Sequence, residues 1–188
     1  MRVFIAIELP EAVKMKIAQV QERLKKTKDR IRWVEPSIIH LTLKFLGEIS
    51  EKDLEKVKEA AEKAVKSFAP FSFEVEGVGA FPSSSSPRVI WMGVGEGKDV
   101  LTRLATQIEE ELVRCGFGRD KRWIPHLTMG RVRSLEEREK LASLIQRERD
   151  AEAGKVRVEK VSIFKSRLTP KGPVYTVLKH ILLKGGRG

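Results

Sequence analysis

The sequence predicts an α+β fold, bilobal and duplicated, in which two mainly antiparallel sheets face a central cleft with helices outside. Three observations lead there. A four-residue phrase on strand-like sequence occurs twice, segments of period two alternate with segments of helical spacing, and the two phrases stand nearly half the chain apart. The phrases are His40-Leu41-Thr42-Leu43 and His126-Leu127-Thr128-Met129, each preceded by an Arg-Trp pair, Arg32-Trp33 and Arg122-Trp123. This spacing suits a duplicated half rather than a solenoid repeat. It predicts one domain, residues 1–188, made of two pseudo-symmetric lobes divided at about residues 94 and 95.

In chain order, Val3, Ile5 and Ile7 alternate with Phe4 and Ala6, which predicts a buried strand over residues 2–9 that Pro10 ends. Val13, Ile17, Val20 and Leu24 then mark one face of a helix, with Gln and charged residues on the other. The first histidine phrase lies in a strand over 38–49. Ser50, followed by acidic residues, predicts the cap of a helix carrying Leu54, Val57, Ala61, Val65 and Phe68. Phe71, Phe73 and Val75 alternate as a strand. Gly77, Gly79 and the tract from Pro82 to Pro87 then break the chain before a strand over 88–94, with the serines at a hairpin tip.

The second half opens with a helix carrying Leu101, Leu104, Ile108 and Leu112, closed by Gly116 in a left-handed cap. A basic loop, Gly118 to Arg122, leads to the second histidine phrase. Ser134 with Glu137 predicts a capping box for a helix through Leu141, Leu144 and Ile145. Strands over 156–164 and 174–183, joined by Thr169 to Pro173, complete the chain.

Composition narrows the function. The chain has 188 residues and 41% hydrophobic content, which suits a soluble globular protein. It shows no apolar run of membrane-spanning length and no signal peptide, so a cytoplasmic location is expected. A net charge of +11 favours a polyanionic partner, with RNA the obvious candidate, although a surface 34% charged also suits heat adaptation. Cys115 is the sole cysteine, which excludes an internal disulfide and a thiolate zinc cluster; its helical spacing predicts a small buried hydrophobe.

Side chains alternate faces along a strand, so His40 and Thr42 share one face, as do His126 and Thr128, while Leu41, Leu43, Leu127 and Met129 face a core. One imidazole accepting a proton and another donating one is what phosphodiester hydrolysis needs on the two sides of phosphorus. The threonine hydroxyls, about 6.6 Å along each strand, would donate to the non-bridging oxygens. No metal or other cofactor is expected. Zinc is the next rival, but threonine is a poor ligand and no helical His-x-x-x-His pair is present. His180, the third histidine, is expected to be structural, Phe45 to sit in the core, and Lys44 to be a solvated surface residue despite sharing parity with His40. Trp33 and Trp123 are candidates for core packing or for stacking on bases. The loops 83–86, 118–121 and 169–173 are candidate rims of the site.

The doubled phrases, their spacing, the Phe45-Leu46-Gly47 continuation and Arg131 after the second copy closely resemble the two-histidine (2H) phosphoesterase superfamily. Within it the chain is similar to the LigT/ThpR-like RNA 2′,3′-cyclic phosphodiesterases, historically called 2′-5′ RNA ligases. The resemblance runs from Met1 through the last strand. It implies a bilobal fold and metal-independent hydrolysis of a terminal 2′,3′-cyclic phosphate to a 2′-phosphate. By that resemblance His40 is the proton donor to the departing 3′ oxygen, His126 is the proton acceptor that activates water, and Thr42, Thr128 and Arg131 bind the phosphate. Strict parity puts Arg131 on the face opposite His126, and a bulge at Gly130 would turn it inward. The expected partner is RNA with a 2′,3′-cyclic phosphate end, tRNA fragments among the possibilities, and the expected state is a monomer. The alternatives are ATP-independent 2′-5′ ligation at the same site, for example of tRNA half-molecules, and a non-catalytic RNA or nucleotide binder.

Overall fold

The structure is a computed structural model that describes residues 1–120 and 122–185. Strand β1 (Arg2–Glu8) is followed by helix α1 (Glu11–Leu24), strand β2 (Arg30–Trp33), a 3-10 turn at Pro36–Ile38, and strand β3 (His40–Glu48). Helix α2 (Glu51–Val65), the hairpin β4 (Phe71–Ser83) and β5 (Ser86–Val94), and helix α3 (Lys98–Arg114) come next. Strand β6 (Leu127–Ser134), helix α4 (Arg138–Arg147) and strands β7 (Glu152–Val158), β8 (Lys160–Thr169) and β9 (Gly172–Leu182) end the fold.

All strand pairs are antiparallel, in two sheets of order β3-β1-β8-β9 and β2-β6-β5-β4-β7. Helices α2 and α3 pack on each other, against β9 and β3 of the first sheet, and α1 and α4 lie against β7 and β4 of the second. The α+β class with two sheets and outer helices is as the sequence predicts. The cut near residue 94 does not separate the sheets, however. β8 and β9 come from the second half of the chain yet complete the first sheet, and β2 and β4 come from the first half yet join the second. The halves exchange strands, so β3-β1-β8 in one sheet matches β6-β5-β4 in the other.

Strand β1 shows why the exchange holds. Val3, Ile5 and Ile7 are buried in the main core, while Phe4 and Ala6 form a separate cluster with Phe164 and Tyr175 on the other face. A central strand buried on both faces reads as an unbroken apolar run.

Other expectations need correction. Strand β2 has no counterpart in the sequence reading, its four residues being too few for a period. The strand expected over 156–164 is two strands in different sheets, because the chain crosses between them at Glu159. Ser134 does not cap α4. Its N-cap is Glu137, and Asp29 Oδ1 accepts from the backbone N–H groups of Glu136 (2.5 Å) and Glu137 (2.8 Å), a long-range carboxylate in the capping role. Cys115 is exposed at the end of α3, because the helix stops there, one residue before left-handed Gly116. The cap at Ser50 forms as expected, its side chain accepting from Asp53 N–H at 3.1 Å.

Candidate active site

Each histidine strand is irregular at the same place in its phrase. In the pairing of β1 with β3, Ile5 faces Lys44 and Ala6 faces Thr42, so Leu43 is skipped; in the pairing of β5 with β6, Ile90 faces Gly130 and Trp91 faces Thr128, so Met129 is skipped. The fourth residue of each phrase is thus a β-bulge, which reverses the side-chain parity of the residues that follow it, up to a second shift past Phe45 on β3 and past Val132 on β6. Two expectations fall with the parity rule. Phe45, expected in the core, is 51% exposed and lines the cleft, and Lys44, expected in solvent, is buried. Arg131 is the counterpart of Phe45 and lines the cleft for the same reason. The bulge expected at Gly130 lies one residue earlier. Gly130 instead supplies room: a Cβ there would stand 2.9 Å from both Ile31 Cγ2 and Trp33 Cε3. Gly130→Ala is therefore expected to cost about 1–3 kcal/mol by overpacking, measurable in urea unfolding; an unchanged midpoint would contradict this packing.

The second bulge is pinned from helix α1. Gln21, which the sequence places on the polar face, is buried, and its Nε2 donates to the carbonyls of Val34 (2.8 Å) and Met129 (3.0 Å). The first is held by Trp123, whose Nε1–H donates to the Thr42 carbonyl at 3.2 Å. Lys44 Nζ contacts Glu109 Oε2 at 2.9 Å and Asp120 Oδ2 at 3.1 Å and donates to the Gly118 carbonyl at 2.9 Å. It ties β3 to α3 and to the loop that leads to the second phrase.

His40, Thr42, His126, Thr128 and Arg131 all line one cleft of about 550 Å³ between the sheets. The histidines are held alike. Nδ1 of His40 lies 2.9 Å from the Ile38 carbonyl, and Nδ1 of His126 lies 2.7 Å from the Ile124 carbonyl. A carbonyl only accepts, so each Nδ1 carries the proton and each Nε2 is left to exchange one. Their surroundings differ. His40 stacks on Phe4 at 4.8 Å and meets Tyr175 edge-on at 5.3 Å, whereas among the described residues His126 meets one aromatic ring, Phe81, edge-on at 5.1 Å. Burial pushes the His40 imidazole below the ordinary histidine range; the Ile38 carbonyl opposes this and the Lys14 charge adds to it.

Tyr175, the sole tyrosine, lines the cleft beside Phe4 and Arg2, and the sequence reading assigned none of the three to the site. Burial raises the Tyr175 hydroxyl pKa, and the charges of Arg131 and Arg2 pull it back. Of the expected rims, Lys171, Gly172 and Pro173 line the cleft, whereas Ser83 to Ser86 do not. Lys121, counted with the basic loop, lies outside the described residues. Trp33 lines the cleft, Trp123 serves as the tie to Thr42, and His180 bonds Ser162 through Nδ1 at 2.7 Å.

Two imidazoles with free Nε2 atoms and two threonines, presented by matching strands to one cleft, define a two-histidine phosphoesterase. The family model described as LigT-like phosphoesterase matches the sequence twice, over residues 7–91 and 93–175, and the chain belongs to that family. It is 39% identical to the RNA 2′,3′-cyclic phosphodiesterase of Thermotoga maritima over 99% of this chain and 97% of that one. Identity to the protein of the same name from Methanothermobacter thermautotrophicus is 36%, over 93% and 95% of the two chains. Among solved structures, TT0787 of Thermus thermophilus superposes with a TM-score of 0.82 at 30% identity, covering 100% of both chains. E. coli LigT complexed with 3′-AMP shares the fold, with a TM-score of 0.80 at 24% identity over 97% of this chain and 98% of that one.

Proposed function

We propose that this protein hydrolyses RNA ends bearing a 2′,3′-cyclic phosphate to 2′-phosphates, with the cleft histidines as acid and base. The observation that carries it is the matched pair of Nδ1–carbonyl bonds, which sets both imidazoles in the tautomer that works through Nε2. His40, protonated, gives its proton to the departing 3′ oxygen while His126, neutral, takes one from water; the P–O3′ bond breaks and the new P–O bond forms. Thr42, Thr128 and Arg131 hold the non-bridging oxygens. The relatives bearing the same name support the substrate class. Both histidines and both walls come from one chain, which supports a monomer. An RNA-end substrate, tRNA fragments included, supports a cytoplasmic site of action, and no helix among the described residues is long and apolar enough to cross a membrane.

The test is incubation in EDTA with a short RNA ending in a cyclic phosphate, with products separated against 2′- and 3′-phosphate standards. A 2′-phosphate is expected. A 3′-phosphate, or activity abolished by EDTA, overturns the mechanism.

The pH dependence follows from His40. The donor must be protonated, and burial makes it lose that proton at a lower pH than an ordinary histidine. In His126→Ala, where the acid limb is gone and His40 alone titrates, the residual kcat/KM, which reports the free enzyme, is therefore expected to fall on its alkaline side below the ordinary value near 6.5. The bound phosphate anion stabilises the imidazolium, so the alkaline limb of kcat should lie higher. Coincident limbs above the ordinary histidine value would rule out a burial-lowered donor.

A further inference from the structure

The two walls of the cleft differ in chemistry beyond what one cyclic phosphate needs. On the first sheet the wall carries Phe4, Phe45, Leu168 and Tyr175, with Arg2 and the turn residue Lys171 beside them; on the second it carries Arg32, Arg131 and Arg133, with Trp33 beside them. Arg131 and Arg133 are two residues apart on β6, about 6.6 Å along the strand. Arg32 stands directly opposite Arg131 on β2. Like charges directly opposed across strands are destabilising, and this fold keeps them without compensation. Among the described residues none of these arginines lies within 4.0 Å of a carboxylate, whereas some arginines elsewhere are paired, as Arg23 is with Glu148 and Arg119 with Glu110. Among the described residues Glu35 is the sole acidic one lining the cleft.

A terminal cyclic phosphodiester carries a single negative charge, which Arg131 and the threonines suffice to hold. We propose that Arg32 and Arg133 form a subsite for further phosphodiesters of the same RNA, upstream of its cyclic end, so that the enzyme selects oligonucleotide ends over 2′,3′-cyclic mononucleotides. The aromatic wall complements this. His40 delivers its proton to an oxygen of the terminal ribose, so the terminal nucleoside lies on the His40 side of phosphorus, where Phe4, Phe45 and Tyr175 offer rings for its base. The chain leading to that nucleoside then crosses the cleft mouth to the arginines. The selection rests on the hydrolase reading, but the phosphate subsite is testable without it.

The experiment compares kcat/KM for a 2′,3′-cyclic mononucleotide and for a tetranucleotide with a cyclic end, in the native protein, Arg32→Gln and Arg133→Gln. The native protein is expected to favour the tetranucleotide by at least about tenfold, and each substitution to shrink that preference severalfold. A preference that survives both substitutions, or no preference at all, overturns the subsite. In parallel, binding of a tetranucleotide with a 3′-phosphate end is measured against salt, where each lost phosphate contact lowers the log–log slope by about 0.7. If the native protein converts neither substrate, the hydrolase reading fails and this slope alone judges the subsite: a drop in each variant upholds it, and an unchanged slope rejects it.

Discussion

Replacing His40 or His126 by Ala is expected to slow hydrolysis of a cyclic-phosphate RNA end by about 10²–10⁴-fold, the usual worth of a positioned general acid or base. The two losses should not add in the double variant, since acid and base act in one step. The variants should also differ in a way that mere damage would not. His40→Ala should remove the alkaline limb of the pH profile and His126→Ala the acid limb, because one must carry a proton and the other must lack it. Both should keep the fold. The bonds lost are single contacts to the Ile38 and Ile124 carbonyls in a half-buried cleft, worth about 1 kcal/mol each. Stopped-assay kinetics over pH, with unfolding midpoints alongside, checks both statements. A variant retaining a tenth of native turnover would remove that histidine from the reaction.

The largest expected effect on stability comes from Lys44→Ala, at about 3 kcal/mol. The side chain of Lys44 is 4% exposed, and its ammonium meets two carboxylates, Glu109 and Asp120. Glu109 is itself largely buried, at 16% exposed, and among the described residues keeps only the hydrogen bond from the Asp120 N–H at 2.6 Å once the lysine is gone. Breaking a buried pair from one side leaves Glu109 without its contacting counter-charge, whereas replacing both sides by apolar groups removes the problem. Lys44→Met with Glu109→Leu should therefore recover much of what Lys44→Ala loses. Urea unfolding of the variants decides it, and a loss below about 0.5 kcal/mol for Lys44→Ala would place the pair among ordinary surface bridges. Because Lys44 also holds the Gly118 carbonyl, Lys44→Ala should loosen the loop before His126 and lower turnover as well.

Much of this molecule was legible without coordinates. Alternation in Val3 to Ile7, helical spacing in Val13 to Leu24 and a Ser50 cap are local signals, and each produced its element. The placement of His40 and Thr42 on one face, and of His126 and Thr128 on one face, followed from strand parity and holds because neither phrase is interrupted before its fourth residue. Beyond that residue parity failed at both copies. A bulge leaves no local pattern, and Phe45, Lys44 and Arg131 went to the faces that it chose. Gln21 looked like solvent-facing polar sequence because its partners, the carbonyls of Val34 and Met129, belong to distant segments.

What the sequence determined by itself was the chemistry: which side chains could exchange protons, that they came in a matched pair, and that the secondary structure would be layered sheets and helices. Those properties depend on residue type and on spacings of a few residues, which the chain states directly. What only the tertiary structure decided was which strands share a sheet, where the two bulges turn the backbone, and how Phe4 of β1, Phe164 of β8 and Tyr175 of β9 gather around His40 while Phe81 alone meets His126 among the described aromatic residues. Those depend on contacts between residues far apart in the chain, where one register among many is chosen by the sum of buried area and satisfied hydrogen bonds. That sum exists only once the two halves have exchanged their strands.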